Sequence, residues 1–217
     1  MENGKFQCRW ISSGFMKRLS AIIIAAILMG ILTFICIHKQ SDSRKASINI
    51  EILKSFVEDG DIIFRLGDRP WSLLIKDIAT TKESYSHVGI IRKNTEITVI
   101  NADTLRVDGK DGVIEVSIND FSSVAQRIAV FRVKSIEREK LSSIAEEYLG
   151  KPFDWEFDLS DESRIYCSEL IYIVLKRIRP DIELKTIYIK ELKKNVIPLD
   201  VCVENDEFEQ VLLIESK

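Results

Sequence analysis

The sequence predicts an α+β domain preceded by a membrane-spanning helix, and three observations carry that expectation. Short apolar runs of strand length crowd between residues 62 and 133, longer runs with helical spacing follow at 137–149 and 167–179, and residues 19–37 carry no charge. Strands and helices segregated in this way argue against a doubly wound parallel sheet. Of the 217 residues, 46% are hydrophobic and 30% charged, as in a folded domain, while a net charge of -3 leaves no global positive field to hold nucleic acid.

Residues 1–18 read as a short basic tail. The stretch LSAIIIAAILMGILTFICI from Leu19 to Ile37 would rise roughly 28 Å as a helix, against a hydrocarbon core of about 30 Å. It is expected to be a transmembrane anchor. Lys17 and Arg18 before it raise the possibility of a cleaved signal peptide, but the apolar stretch exceeds the usual core of one and no A-x-A-like site follows. Cys36 follows bulky Phe34 and Ile35 where a lipid-attachment box needs small residues, so it reads as an apolar helix position. Lys5, Arg9, Lys17 and Arg18 precede the span and Lys39, Arg44 and Lys45 follow it, a slight bias toward a cytoplasmic N-terminus with the domain outside. Residues 38–46 form a polar linker, and the domain occupies 47–217.

Within the domain, Ile48 to Val57 is apolar at 48, 52, 53, 56 and 57, the spacing of one helix face, and ends at the turn Glu58-Asp59-Gly60-Asp61. Ile62, Ile63 and Phe64 suit a buried strand, and Trp71 to Ala79 has helical spacing after Pro70. Strands are expected at Ser86 to Arg92 and Ile97 to Asn101, joined by Lys93-Asn94-Thr95-Glu96 as a hairpin loop, and again at Val113 to Ser117 and Arg127 to Val133. The helix from Glu137 stops at Gly150 and Pro152, that from Cys167 stops at Pro180, and a last strand covers Glu209 to Glu215. Lys190, Lys193 and Lys194 read as a solvated helix face, and Phe153, Trp155 and Phe157 as a loop packed on the sheet.

The cysteines Cys8, Cys36, Cys167 and Cys202 lack the paired spacing of a zinc site, and Asp158 and Asp161 do not make a metal loop. No GxGxxG, GxxxxGK[ST] or GxSxG occurs, which removes the simple nucleotide and serine-hydrolase readings. Cys167 opens an apolar helix after a polar loop. There the unpaired N–H groups and the helix dipole favour a thiolate, lowering its pKa, and the same groups could hold an oxyanion. A buried structural cysteine would look the same, which is how Cys202 is read. Of the two histidines, His38 borders the anchor, leaving His87 as the base available to a cysteine nucleophile. Strand alternation places His87, Gly89 and Ile91 on one face and Ile97, Val99 and Asn101 on one face of the next strand, so the Asn101 amide lies across the hairpin from His87. It could orient the imidazole, or simply end the strand with Ala102 and Asp103.

Four segments in order carry a family resemblance: Gly60-Asp61-Ile62-Ile63-Phe64-Arg65, Ser86-His87-Val88-Gly89-Ile90, Gly150-Lys151-Pro152-Phe153-Asp154 and Tyr166-Cys167-Ser168-Glu169-Leu170. Together they resemble the permuted papain-like cysteine hydrolases of the NlpC superfamily, the YiiX/YebB-like branch. The resemblance runs from about Gly60 to Leu170. It implies a papain-like domain with a central antiparallel sheet packed against helices, Cys167 as nucleophile, His87 as base and Asn101 at the third catalytic position, where members of the branch often carry glutamate. No cofactor or metal is expected. The implied substrates are amides, such as peptides from the cell wall or N-acyl amino acids. A lipid-directed thioesterase or acyltransferase on the same fold, or a membrane-tethered binding module without catalysis, are the competing expectations.

Overall fold

The computed structural model describes residues 48–67, 85–104, 111–190, 192–199, 202–203 and 205–216. The expected anchor at 19–37, the linker at 38–46 and the helix at Trp71 to Ala79 lie outside the described residues. The elements run in the order α1 (Ile50–Phe56), β1 (Ile62–Gly67), β2 (His87–Lys93), β3 (Ile97–Asp103), β4 (Gly112–Ser117), α2 (Ile118–Ser122), β5 (Ala125–Val133), α3 (Glu139–Glu146), α4 (Cys167–Ile178), β6 (Ile187–Ile189), β7 (Lys194–Val196) and β8 (Phe208–Glu215). Six strands form one antiparallel sheet in the order β4-β3-β2-β1-β5-β8. The expected α+β class and central antiparallel sheet are therefore what the chain adopts.

Both faces of the sheet are buried, each under its own helices, which is why the strands read as nearly continuous apolar runs. Ile62, Phe64, Val88, Ile90, Ile100, Ala102, Ala129 and Phe131 form one face and pack with Leu141 and Ala145 of α3 and Leu170, Ile171 and Val174 of α4. The alternate residues Ile63, Ile91, Val99, Ile128 and Val130 pack on the other face with Leu53 of α1 and Ile118 and Phe121 of α2. Alternation with period two thus divides the apolar residues of the central strands between two cores.

The turn before β1 fixes β1 against β2. Gly60 holds φ of 77°, and a Cβ there would lie 1.9 Å from the Arg138 carbonyl oxygen, so both the conformation and the close approach require glycine. Its N–H donates to the Ile91 carbonyl, and Ile91 N–H donates to the Asp61 carbonyl. The fully buried Asp61 carboxylate accepts from Nε and Nη2 of Arg132 on β5, each at 2.9 Å, and from Glu58 N–H at 2.8 Å. Three donors on one buried carboxylate satisfy a charge that would otherwise be costly.

The structure corrects several local expectations. On α1 only Leu53 of the helical residues is buried, and Ile52 and Phe56 are exposed, because a helix of seven residues packs on the sheet along a single narrow line. The helix expected at Glu137 to Leu149 is shorter at both ends, with turns on either side. Lys190, Lys193 and Lys194 do not share a helix face. They belong to the β6–β7 hairpin, where Lys193 takes a left-handed turn conformation and Lys194 Nζ pairs with Asp158 at 3.0 Å. Helix α2 was not anticipated, although Ser117 and Asp120 supply a legible start: Ser117 Oγ accepts from Asp120 N–H at 3.0 Å as an N-cap.

Candidate active site

Period-two alternation on three neighbouring strands brings Arg65, His87, Asn101 and Asp103 to the sheet face covered by α2. Arg65 pairs directly with His87 in the β1–β2 register. Asn101 is fully buried, its Nδ2 donates to the Val99 carbonyl at 3.2 Å, and its Oδ1 lies 2.8 Å from His87 Nε2. Because Nδ2 is committed to a carbonyl, Oδ1 faces the ring as an acceptor, which requires the proton on Nε2 and leaves Nδ1 with its lone pair. The pair forms across Gly89. A Cβ at Gly89 would lie 2.5 Å from Val99 Cγ1, 2.9 Å from the Ile100 carbonyl oxygen and 3.0 Å from Asn101 Cβ. Gly89→Ala is accordingly expected to displace β3 and Asn101 with a loss of about 2 kcal/mol or more of stability, read by urea denaturation.

Three further groups at His87 were not singled out as site residues in the sequence. Asp103 Oδ2 lies 3.8 Å from Nε2 and 3.3 Å from Arg65 Nη2. The Phe121 ring stacks at 5.7 Å from the imidazole and lies 4.5 Å below the Arg65 guanidinium, whose Nη1 donates to the Phe121 carbonyl at 2.9 Å. Asp103 follows Asn101 by two residues and so shares its strand face, a signal that was available in the sequence once the strand was extended past 101. Arg65 stood inside the first family segment without a role.

Cys167 is the first residue of α4, as expected, and only 7% exposed. Its sulfur is approached by the backbone N–H groups of Ser168, Cys167 and Val88, the last being the residue after His87 on β2. The thiol thus meets the sheet at the end of β2 where His87 lies. The expected low thiol pKa is corrected: burial pushes it up to about 12, the N–H of Ser168 pulls against that, and the Asp103 carboxylate adds to the rise. Desolvation of a nearly enclosed sulfur outweighs the helix-start donors. His87 moves the opposite way, down to about 4, because burial and then the Arg65 charge disfavour the imidazolium more than Asp103 and Asn101 support it. At neutral pH both groups are uncharged.

The start of α4 is anchored from the other direction. Ser168 Oγ donates to the Ile197 carbonyl at 2.7 Å and Ile197 N–H donates to the Tyr166 hydroxyl at 2.9 Å, so one residue pins the chain on both sides of Cys167. Glu169 Oε2 accepts from Tyr166 N–H at 3.1 Å, whereas buried Oε1 has no partner within the described residues. Burial raises the Glu169 pKa to about 8, opposed by the Tyr166 N–H and reinforced by Asp154, Glu162 and Asp158. Between pH 4.5 and 8 the unfolded carboxyl ionises while the folded one keeps its proton, so this group lowers stability progressively as pH rises through that window. Glu169→Gln is expected to stabilise the fold by about 1–3 kcal/mol at pH 8 and negligibly near pH 4.5, measured as a pH series of urea denaturation curves. An equal effect at both pH values would contradict a protonated Glu169.

The family model for permuted papain-like amidase enzymes, YaeF/YiiX, C92 family, matches residues 56–210. The chain belongs to this family. The C92 match spans all four segments of the sequence resemblance, and the family it describes is one of permuted papain-like amidases. The chain is 32% identical over 130 residues to the uncharacterized protein YiiX of Escherichia coli strain K12, covering 54% of this chain and 56% of that protein. It therefore matches little more than half the length of that relative. The crystal structure of metalloprotein YiiX from Escherichia coli O157:H7 superposes with a TM-score of 0.61 at 21% identity, over 72% of this chain and 97% of that one, a likeness of fold. That protein is described as a metalloprotein; among the described residues here, no group of three or more His, Cys, Asp or Glu side chains is placed to hold a metal ion.

Proposed function

We propose that the chain cleaves an amide through an acyl-enzyme on Cys167, with His87 as general base and Asn101 as the residue that orients it. The observation that carries this reading is the 2.8 Å contact of Asn101 Oδ1 with His87 Nε2, which leaves Nδ1 as the basic atom in a site whose helix begins with a cysteine. As the Cys167 sulfur bonds to the amide carbon, its proton passes to Nδ1, so charge separation occurs only during attack and the resting pair stays neutral. The imidazolium formed is held by Asn101 Oδ1 and faces the Asp103 carboxylate 3.8 Å from Nε2. The backbone N–H groups at the start of α4 are the donors available to the oxyanion. The proton then moves to the leaving nitrogen as the C–N bond breaks. Water, deprotonated by the same imidazole, adds to the thioester carbon and releases the acid with the thiol restored.

The pKa values set a pH dependence. The base is functional once His87 is neutral, so single-turnover labelling by an acyl probe is expected to hold its full rate from pH 7 to below 6.5 and to fall only near pH 4. An acid limb at 6.5 would contradict a buried, neutral His87. The substrates proposed are peptides, including cell-wall peptides, and N-acyl amino acids. Turnover of such amides by the full-length chain, set against matched thioesters of lipid acyl chains, tests this; exclusive turnover of the thioesters would favour a lipid-directed acyl transferase or thioesterase. We propose further that residues 19–37 remain as a membrane anchor with the domain outside the cytoplasm, a reading supported by their uncharged length. A mature N-terminus beginning near residue 40 would overturn it.

A further inference from the structure

We propose that Arg65 is a positioning residue for His87: by pairing with Asp103 beside Nε2 while resting its own guanidinium on Phe121, it offsets the pull of that carboxylate on the ring and keeps the imidazole available as the base. The inference rests on the reading of His87 as the base and adds to it a device that sets where that base operates.

The geometry is a three-strand row on one sheet face. Arg65 on β1 pairs in register with His87 on β2, and its Nη2 reaches Asp103 Oδ2 on β3 at 3.3 Å. The same carboxylate oxygen is 3.8 Å from His87 Nε2. An unpaired carboxylate this close to a buried imidazole would draw a proton onto the ring and remove the base. A guanidinium on the carboxylate offsets that pull, and its own charge beside the ring opposes a second positive charge. The Phe121 ring lies against both the guanidinium and the imidazole, and the Phe121 carbonyl takes Arg65 Nη1, so the guanidinium is held in one place by three contacts. Among the described residues, the groups that face this imidazole are Arg65 from β1, Asn101 and Asp103 from β3 and Phe121 from α2, with Cys167 of α4 at the end of the strand. Arg65 is the only cation in that set. Removing it takes away the one cation in that set that opposes a positive charge on the ring, while the Asp103 carboxylate stays 3.8 Å from Nε2; a lysine keeps the charge and can still reach the carboxylate.

The chain has two histidines, so ring-labelled histidine in the full-length protein gives two resonances, and a His38→Gln variant assigns them. In Arg65→Gln the His87 titration is expected to move up by about one unit, a tenfold rise in imidazolium at a given acid pH, and in Arg65→Lys to stay close to the parent. If Arg65→Gln does not fold by thermal melt, Asp103→Asn decides the matter: the imidazolium fraction at low pH is expected to fall below the parent's. A His87 titration unchanged in folded Arg65→Gln, or unchanged in Asp103→Asn, overturns the proposal. Acyl-probe labelling in the same variants separates this from the catalytic reading. An acid limb that moves with the resonance supports both, whereas a resonance that moves without the limb upholds the Arg65 role and removes His87 as the base.

Discussion

In Cys167→Ala and in His87→Ala, single-turnover labelling by an acyl probe is expected to fall at least about a thousandfold, and the double variant to fall no further than either single one. The thiol has no ionised form to fall back on at neutral pH, because burial pushes it up to about 12. Attack therefore needs the proton acceptor as much as the sulfur, and removing either removes the unit. Asn101→Ala is expected to cost less, since the imidazole keeps its Phe121 packing and its proximity to Asp103 when the Oδ1 contact is lost. Glutamate at 101 supplies an acceptor for Nε2 and is expected to retain more labelling than alanine. Thermal melts of each variant separate lost chemistry from lost fold.

The largest expected effect on stability is at Arg132→Met, a loss of about 3–5 kcal/mol by urea denaturation, because it strips two of three donors from a carboxylate with no exposure. Arg132→Met combined with Asp61→Asn is expected to recover part of that loss, since a neutral amide is cheaper to leave buried than a charge. A loss under about 1 kcal/mol in the single variant would show that Asp61 takes up its proton or reaches water instead.

The two effects mark which parts of the fold were readable from the chain. Gly60-Asp61 was legible as a turn, but not the partner 71 residues away on β5 that makes the aspartate tolerable in the core. Strand alternation was enough to put His87 and Asn101 on facing strands, because parity survives errors in strand ends. It missed Asp103 because the strand was ended at 101, two residues short of β3, and a polar Asn-Ala-Asp sequence looks like a turn. The Lys190–Lys194 cluster was assigned the wrong element because lysines carry little periodic information, while the β6–β7 hairpin pairs Ile187–Ile189 with Lys194–Val196 and is followed directly by Ile197, which bonds to Tyr166 and Ser168. The Cys167 position at a helix start was legible and its pKa was not. Helix-start donors are a local feature of sequence, whereas desolvation depends on how β2 and the α4 helix close over the sulfur. Short-range chemistry is written along the chain, and burial is a property of the assembled fold.

The most direct test of the account is mass spectrometry of the full-length protein after brief mixing with an N-acyl amino acid or peptide amide and acid quench. A mass increase equal to the acyl group is expected, mapped by digestion to the peptide containing Cys167, present in the parent and Asn101→Ala proteins and absent from Cys167→Ala and His87→Ala. Acylation at another residue, or an acyl adduct at Cys167 that forms equally fast in folded His87→Ala, would contradict it.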